Sequence, residues 1–350
     1  MSVHRADAPG RINLIGEHTD YNEGLVLPTA TRLRTAVELV ARDNGVVRVE
    51  SAGFGHVMYR VGEERRAGDW GDYVRGVTWA LRAGGHQHTG FDAAVTSEIP
   101  PGAGLASSAA LEVALLRALR DAFSLRLDDL ALARVAHVAE TEFVGARVGL
   151  MDQLAASLGA KDEALFIDMR SLATRRVTLP RSLTLIVIDS GVPHAHAGGE
   201  YNERRAACEE AARMLGLRSL RDATTDDVER LAMTAPAPAK RARHVVSENE
   251  RVRKFISALG RGDLASCGAL LDGSHASLRD DFEVSTPELD ALAEILRARS
   301  GVFGARLVGG GFGGSVLALA SVDRASAAAH DASEEYRTRT GQSGRVIVPR

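Results

Sequence analysis

One run near the start of the chain limits what the rest can fold into: Ala8-Pro9-Gly10-Arg11-Ile12-Asn13-Leu14-Ile15-Gly16-Glu17-His18-Thr19-Asp20-Tyr21-Asn22-Glu23-Gly24-Leu25-Val26-Leu27-Pro28. The flanks Asn13–Gly16 and Leu25–Leu27 look buried, yet they enclose Glu17, His18 and Asp20. A fold that buries the flanks must also satisfy those polar groups, through partners or through a ligand. Gly10, Gly16 and Gly24 let backbone come close. The run is built as a site rather than as a core element.

At 350 residues the chain is long for one hydrophobic core, which argues for two domains. We place them at residues 1–180 and 181–350. Hydrophobic residues at 45% and charged residues at 25% are ordinary for a soluble globular protein. The net charge of -3, with both signs interspersed, argues against a nucleic-acid or anionic-membrane partner. Cys208 and Cys267 lie in Ala-rich helical stretches and form neither a disulfide framework nor a zinc spacing, which suits a reducing compartment. The first residues lack a leader pattern and no apolar run reaches membrane-spanning length, so a cytoplasmic protein is expected.

The first half alternates strands and helices. Strands at Thr35–Ala41 and Val46–Ser51 flank Asp43-Asn44-Gly45, a hairpin connection. Helices are predicted over Asp72–Arg82, Ser107–Ala122, Asp129–Phe143 and Leu150–Leu158, with a strand over Phe91–Ile99. The second half begins with a buried strand at Leu185–Ile188. Helices follow at 200–215, 240–259, 262–271, 287–298 and 324–340. Short strands at Arg306–Val308 and Val316–Ala320 flank a glycine loop, and Val346–Val348 is a last strand. Ala235–Ala239, an Ala-Pro repeat, reads as a stiff loop. The mixture without strict alternation predicts an α+β fold.

Two further segments carry chemistry. Ile99-Pro100-Pro101-Gly102-Ala103-Gly104-Leu105-Ala106-Ser107-Ser108 runs from a strand through glycines into a helix, where free N–H groups and the helix dipole favour an anion. It is neither a Walker loop, having no lysine, nor a Rossmann fingerprint. Read alone, it fits a phosphate loop and an ordinary serine helix cap equally well. Val308-Gly309-Gly310-Gly311-Phe312-Gly313-Gly314-Ser315 demands unusual backbone geometry, and by composition reads as a tight turn between strands. Asp152 opens a short helix after Gly149, where a carboxylate also suits the helix dipole. For Glu17, His18 and Asp20 three readings compete: a metal site, a solvated loop, and a set of hydrogen-bonding groups for a carbohydrate.

Taken together these segments resemble the galactokinases of the GHMP kinase superfamily. The resemblance rests on Ala8–Pro28, on the second motif at Pro100–Ala109, on Gly149-Leu150-Met151-Asp152-Gln153, and on the glycine loop Gly309–Gly314. It extends to Glu200-Tyr201-Asn202-Glu203-Arg204-Arg205, to Lys240–Asn249 and to His275–Asp290, and so covers nearly the whole chain.

The resemblance implies an N-terminal α/β domain and a C-terminal ferredoxin-like α+β domain, with the active site between them. It implies an enzyme that moves a phosphoryl group from ATP, with Mg²⁺, to the C1 hydroxyl of galactose. Asp152 would be the catalytic carboxylate with Arg11 beside it. A carboxylate in reach of a sugar hydroxyl can take its proton, and an arginine can neutralise charge on the moving phosphoryl group. Glu17, His18, Thr19 and Asp20, with Gly149 and Tyr201, would bind the sugar. Gly102, Ala103, Gly104, Leu105, Ala106, Ser107 and Ser108 would hold the nucleotide, with Ser51 as a further contact. Ser108 and Glu140 would be the metal ligands. Ala106 departs from the family, which often has a serine there; Gly310 and Ser315 replace its frequent alanine and cysteine. A monomer is expected. The rivals are a 1-kinase for arabinose or N-acetylgalactosamine, and a galactose sensor that binds sugar and ATP without turnover.

Overall fold

The computed structural model describes residues 2–192 and 197–348. The chain opens with β1 (His4–Asn13), a 3-10 turn (Asp20–Asn22), β2 (Leu25–Val26), β3 (Pro28–Arg42), β4 (Val46–Ser51) and β5 (Gly55–Arg60). Then come α1 (Gly71–Ala83), β6 (Gly90–Ser97), α2 (Ser107–Phe123), α3 (Asp129–Val138), a π-helical turn (Ala139–Val144) and α4 (Met151–Leu158). The strands β7 (Glu163–Asp168), β8 (Thr174–Thr178) and β9 (Leu183–Asp189) lead into α5 (Ala197–Met214), a 3-10 turn (Leu220–Asp222), α6 (Thr225–Thr234), α7 (Pro236–Gly260) and α8 (Leu264–Asp280). The last elements are α9 (Pro287–Arg297), β10 (Val302–Val308), β11 (Ser315–Ser321), α10 (Ala325–Thr340) and β12 (Arg345–Val348).

Two compact units result, and they are not consecutive halves. The first holds the chain up to Arg11, Thr29–Pro101 and Leu105–Lys161; the second holds Ile12–Pro28, Gly102–Gly104 and the chain from Asp162 on. In the first unit β1 pairs with β3, β3 pairs antiparallel with β6, and β4 lies between β6 and β5. Alternating burial along β3 and β4 gives the sheet one apolar face. Leu39, Val49, Phe91, Val77, Val113 and Leu116 belong to the core shared by sheet and helices. In the second unit β10-β11-β9-β12 form an antiparallel sheet whose core includes Ile186, Ile188, Leu292, Leu296, Leu307 and Ala318. Both units mix helix and sheet, as expected for an α+β chain. No helix among the described residues is long and apolar enough to cross a membrane.

The differences from the sequence reading have physical causes. β3 and β4 are not a hairpin, because β6 pairs with both. Gly90 allows this: a Cβ there would collide with the backbone of Val46 and Gly45, where the turn crosses the start of β6. The helix after Asp129 does not continue to Phe143 as an α-helix. It widens into a π-turn at Ala139, which buries Glu140. The Ala-Pro segment begins α7 instead of forming a loop, since the first helical turn has no N–H partners for proline to forfeit. β1 and α6 were not anticipated. β1 carries a proline and charges, and α6 is capped by a Thr224–Asp227 box, with Asp in place of the usual Glu or Gln.

One close approach sets the geometry of the second unit. Gly268 of α8 lies directly on Phe303 and Gly304 of β10, with room for no Cβ on either glycine. This seats His275 so that its Nδ1 accepts the Leu307 N–H at 3.2 Å. Gly268→Ala is expected to destabilise the protein by about 1–3 kcal/mol through overpacking, read from denaturant unfolding.

Candidate active site

The first unit gathers Asp152, Glu140 and Glu112. Arg11, near the end of β1, donates from Nε and Nη2 to Oδ1 and Oδ2 of Asp152, at 2.7 and 2.6 Å. The pair is bidentate, the strongest geometry for guanidinium and carboxylate. The arginine side chain is 8% exposed and the aspartate 27%, so the carboxylate keeps both access and acceptor capacity. The Arg11 N–H donates to the Leu105 carbonyl at 3.0 Å, which links this strand to the segment leading into α2. Gly10 lets it approach, as a Cβ would stand 2.8 Å from that oxygen.

Behind the pair lies a drier group. Gln153, next to Asp152 on α4, is buried and donates from Nε2 to Oε2 of Glu140. Burial pushes the Glu140 carboxyl from 4.5 up to about 7; a hydrogen bond from Ser108 opposes this, and the charge of Asp152 adds to it. Glu112, one turn after Ser108 on α2, is fully buried beside Gln153. Burial first, then the charge of Glu140, drives its pKa well above the ordinary range. Sequence reasoning missed Glu112. The signal was there: a lone carboxylate in Ala109–Leu116, four residues after Ser108 and so on the same helix face. Among the described residues no three acidic, histidine or cysteine side chains converge on one metal position.

The loop into α2 has positive φ at Gly102 (75°), Gly104 (74°) and Ala106 (57°). Ala106 sits at the helix N-cap, and no side chain caps the helix there. The first N–H groups of α2 are therefore not taken up by a serine cap, which was the competing reading of this segment. Ser315 donates to the Ala103 carbonyl at 2.8 Å, joining the glycine loop to residues 102–104. Ser51 ends β4, opposite Gly55 and Val95. Gly149 lies in the irregular segment before α4.

The second unit builds the signature loop. Glu17 is buried, its Oε1 accepting from Arg306 Nη2 at 3.0 Å and from the Gly309 N–H at 2.8 Å, and its Oε2 from Asn13 Nδ2 at 2.7 Å. Arg306, fully buried and absent from the sequence reading, also donates to the carbonyls of Asn13, Leu14 and Leu307. Gly309 and Gly311 have φ of 89° and 78°, and a Cβ at 311 would strike Val284, so this loop needs glycine. His18 is held at φ 61°. Burial, followed by the charge of His244, pushes its imidazole down to about 3, so the ring is neutral at physiological pH. Nδ1 lies 2.9 Å from the Tyr21 hydroxyl, and the Gly310 backbone also interacts with the ring. The Tyr201 ring of α5 stands 5.5 Å from that imidazole and 5.6 Å from Tyr21. Tyr201 also faces Gly310, where a Cβ would lie 3.2 Å from the ring. Thr19 is buried with its hydroxyl turned to the Gly16 and Leu25 carbonyls, which shapes the loop. Asp20 begins the following 3-10 turn and is partly exposed.

Comparison with known proteins agrees with this architecture. Residues 72–160 match the GHMP kinases N terminal domain, residues 255–338 the GHMP kinases C terminal domain, and residues 2–39 the galactokinase galactose-binding signature. A solved structure of Lactococcus lactis galactokinase complexed with galactose superposes with a TM-score of 0.94 at 34% identity, covering 99% of this chain and 93% of that one. Mevalonate kinase from Methanococcus jannaschii shares the fold at 17% identity and a TM-score of 0.71, over 99% of this chain and 97% of that one. A D-glycero-D-manno-heptose 1-phosphate kinase from Bacteriodes thetaiotaomicron does so at 16% identity and a TM-score of 0.64, over 99% and 95%. The fold and the matched domains are those of a GHMP kinase, a class of phosphotransferases. Within that class, the signature and the 34% identity place the chain in the galactokinase family.

The raised pKa of Glu140 has a consequence for the ligand-free protein. The folded state holds this proton between pH 4.5 and about 7 while the unfolded chain releases it, so the stability contributed by the group falls as pH rises through that window. Glu140→Gln is expected to raise the melting temperature at pH 8 and to leave it nearly unchanged at pH 4. An equal gain at both values would mean that burial of charge is not the cause.

Proposed function

We propose that this protein transfers the γ-phosphoryl group of ATP to the C1 hydroxyl of D-galactose, giving α-D-galactose 1-phosphate and ADP. The observation that carries the reading is the bidentate Arg11–Asp152 pair, whose carboxylate stays partly open, in a chain that bears the galactose-binding signature. Only Ile12–Gly16 separate Arg11 from Glu17 along the chain, so one short run carries both a reacting residue and the start of the sugar loop.

In this mechanism Asp152 accepts the proton of the C1 hydroxyl as its oxygen attacks the γ-phosphorus. The bond to the β-phosphate oxygen breaks, ADP leaves, and the proton remains on Asp152. Arg11 orients the carboxylate and balances charge on the moving phosphoryl group. Glu17, His18, Asp20, Gly149 and Tyr201 hold the sugar. The neutral His18 offers a ring nitrogen to a hydroxyl, and a site built on such hydrogen bonds rejects an epimer that leaves them unmade. The backbone of Gly102–Ser108 cradles the phosphates, and Ser51 adds a contact to the nucleotide.

The donor set suits Mg²⁺. Ser108 and Glu140 supply hard oxygens, and Mg²⁺ needs only one or two such protein groups besides phosphates and water. The buried Glu140 carboxyl, raised to about 7, is a group that a cation would favour in its charged form. Bound there, the ion would neutralise phosphate charge. Gln153 meanwhile holds Glu140 in place.

ADP release measured with galactose, glucose, arabinose and N-acetylgalactosamine tests the reading. Turnover is expected with galactose, and activity on none of these sugars would overturn it. Asp152→Asn should lower kcat by about 10²–10⁴, the usual worth of a positioned base. Glu140→Gln should raise the Mg²⁺ concentration for half-maximal rate by about tenfold or more.

A further inference from the structure

The segment Arg243–Asn249 carries much of the family likeness, yet none of its side chains is needed for the chemistry above. Its place on α7 gives it a task. His244 and Glu248 are one helical turn apart, and Asn249 follows on the adjacent row. All three are buried. His244 Nε2 lies 3.1 Å from the Glu17 carbonyl and, since a carbonyl only accepts, it donates there. Glu248 Oε1 accepts the Gly16 N–H at 3.0 Å, and Asn249 Oδ1 accepts the Leu25 N–H at 2.8 Å. We propose that His244, Glu248 and Asn249 are positioning residues for sugar binding: α7 uses them to fix the backbone of the 16–25 loop and thereby aims Glu17 and His18.

The geometry supports this at each step. Gly16 N–H and the Glu17 carbonyl flank the Gly16–Glu17 pair, so the Ile15–Gly16 and Glu17–His18 peptide planes are pinned from one helix face. The second plane leads into His18, whose φ of 61° is unfavourable for a residue with a side chain. Such a conformation persists only where neighbours over-determine it. His244 does so twice. It holds the carbonyl before His18, and its ring and that of His18 each stand 4.6 Å from Phe282. At the far end of the loop, Gly24 comes so close that a Cβ would lie 2.7 Å from Asn249 Oδ1.

A second layer holds the first. Ser274 of α8 donates to Glu248 Oε1 at 2.7 Å, Arg251 Nε to Oε2 at 2.6 Å, and Ser277 lies 3.0 Å from His244 Nδ1. Asn249 spends its own donor on the Val245 carbonyl at 3.0 Å, which orients its amide. The other family segment, His275–Asp290, thus begins on the helix that supports α7.

The proposal rests on the assignment of Glu17 and His18 to the sugar, and the test separates the two. Galactose affinity by calorimetry, and KM for galactose and for ATP, are measured on wild type, His244→Leu, His244→Gln and Asn249→Ala. His244→Leu is expected to weaken galactose binding by about tenfold, the loss of one buried hydrogen bond, and Asn249→Ala by several-fold. The KM for ATP should stay within about twofold, and His244→Gln, which restores an N–H donor, should recover most of the affinity. Unchanged galactose affinity in the folded variants would overturn the proposal. So would an equal rise in both KM values. Should His244→Leu fail to fold, Asn249→Ala carries the same comparison. A wild-type protein that does not bind galactose would overturn the sugar assignment, and the proposal with it.

Discussion

The carboxylate of Glu17 is the contact on which the second unit's loops depend. It is buried, and it receives Arg306, the Gly309 N–H and Asn13, so one side chain ties the signature loop to a glycine loop 292 residues further along the chain. A buried pair of this kind adds little stability over an apolar contact, but losing one partner strands a charge and costs about 3–5 kcal/mol. The interaction therefore acts as a registration device. It fixes the glycine loop where Glu17 is, and Ser315 then carries that register to Ala103.

Some of the backbone strain falls within the motif loops. His18, Ala106 and Phe312 all have φ between 57° and 61° without being glycine, and each belongs to one of the three glycine-bearing motifs. Left-handed geometry at such residues is tolerated only when packing and hydrogen bonds hold it. For His18 the hold comes from α7, and for Phe312 from the bond between its N–H and the Val284 carbonyl at 2.7 Å. Loops prepared in this way have less ordering left to do when a ligand arrives.

Carboxylates in the first unit are divided by environment. Asp152 has an arginine on both oxygens and remains partly exposed, whereas Glu140 and Glu112 are buried without a bidentate arginine. That separation leaves one carboxylate paired and open and two that are buried, which is how environment divides groups of the same chemistry. The π-turn at Ala139–Val144 is the local device that puts Glu140 on the inner side, and Gln153 couples it to the helix that carries Asp152.

Motifs whose chemistry is local were legible in the sequence: glycines leading into a helix at 102–108, a glycine loop between two strands at 309–314, and polar groups trapped between apolar flanks at 8–28. Regular amphipathic elements such as α1, α2, α9 and α10 were legible too, because helical spacing repeats within a few turns. Partners that arise from long-range packing were not. Nothing near Asp43-Asn44-Gly45 announces that β6 will lie between β3 and β4, since the deciding glycine is Gly90. Arg306, Glu112, Gln153 and the α7 clamp carry ordinary residue types, and they matter only through what folding sets against them. Sequence by itself determined the motifs that mark the family; tertiary structure decided which of their residues meet, because burial and hydrogen bonding act across space and not along the chain.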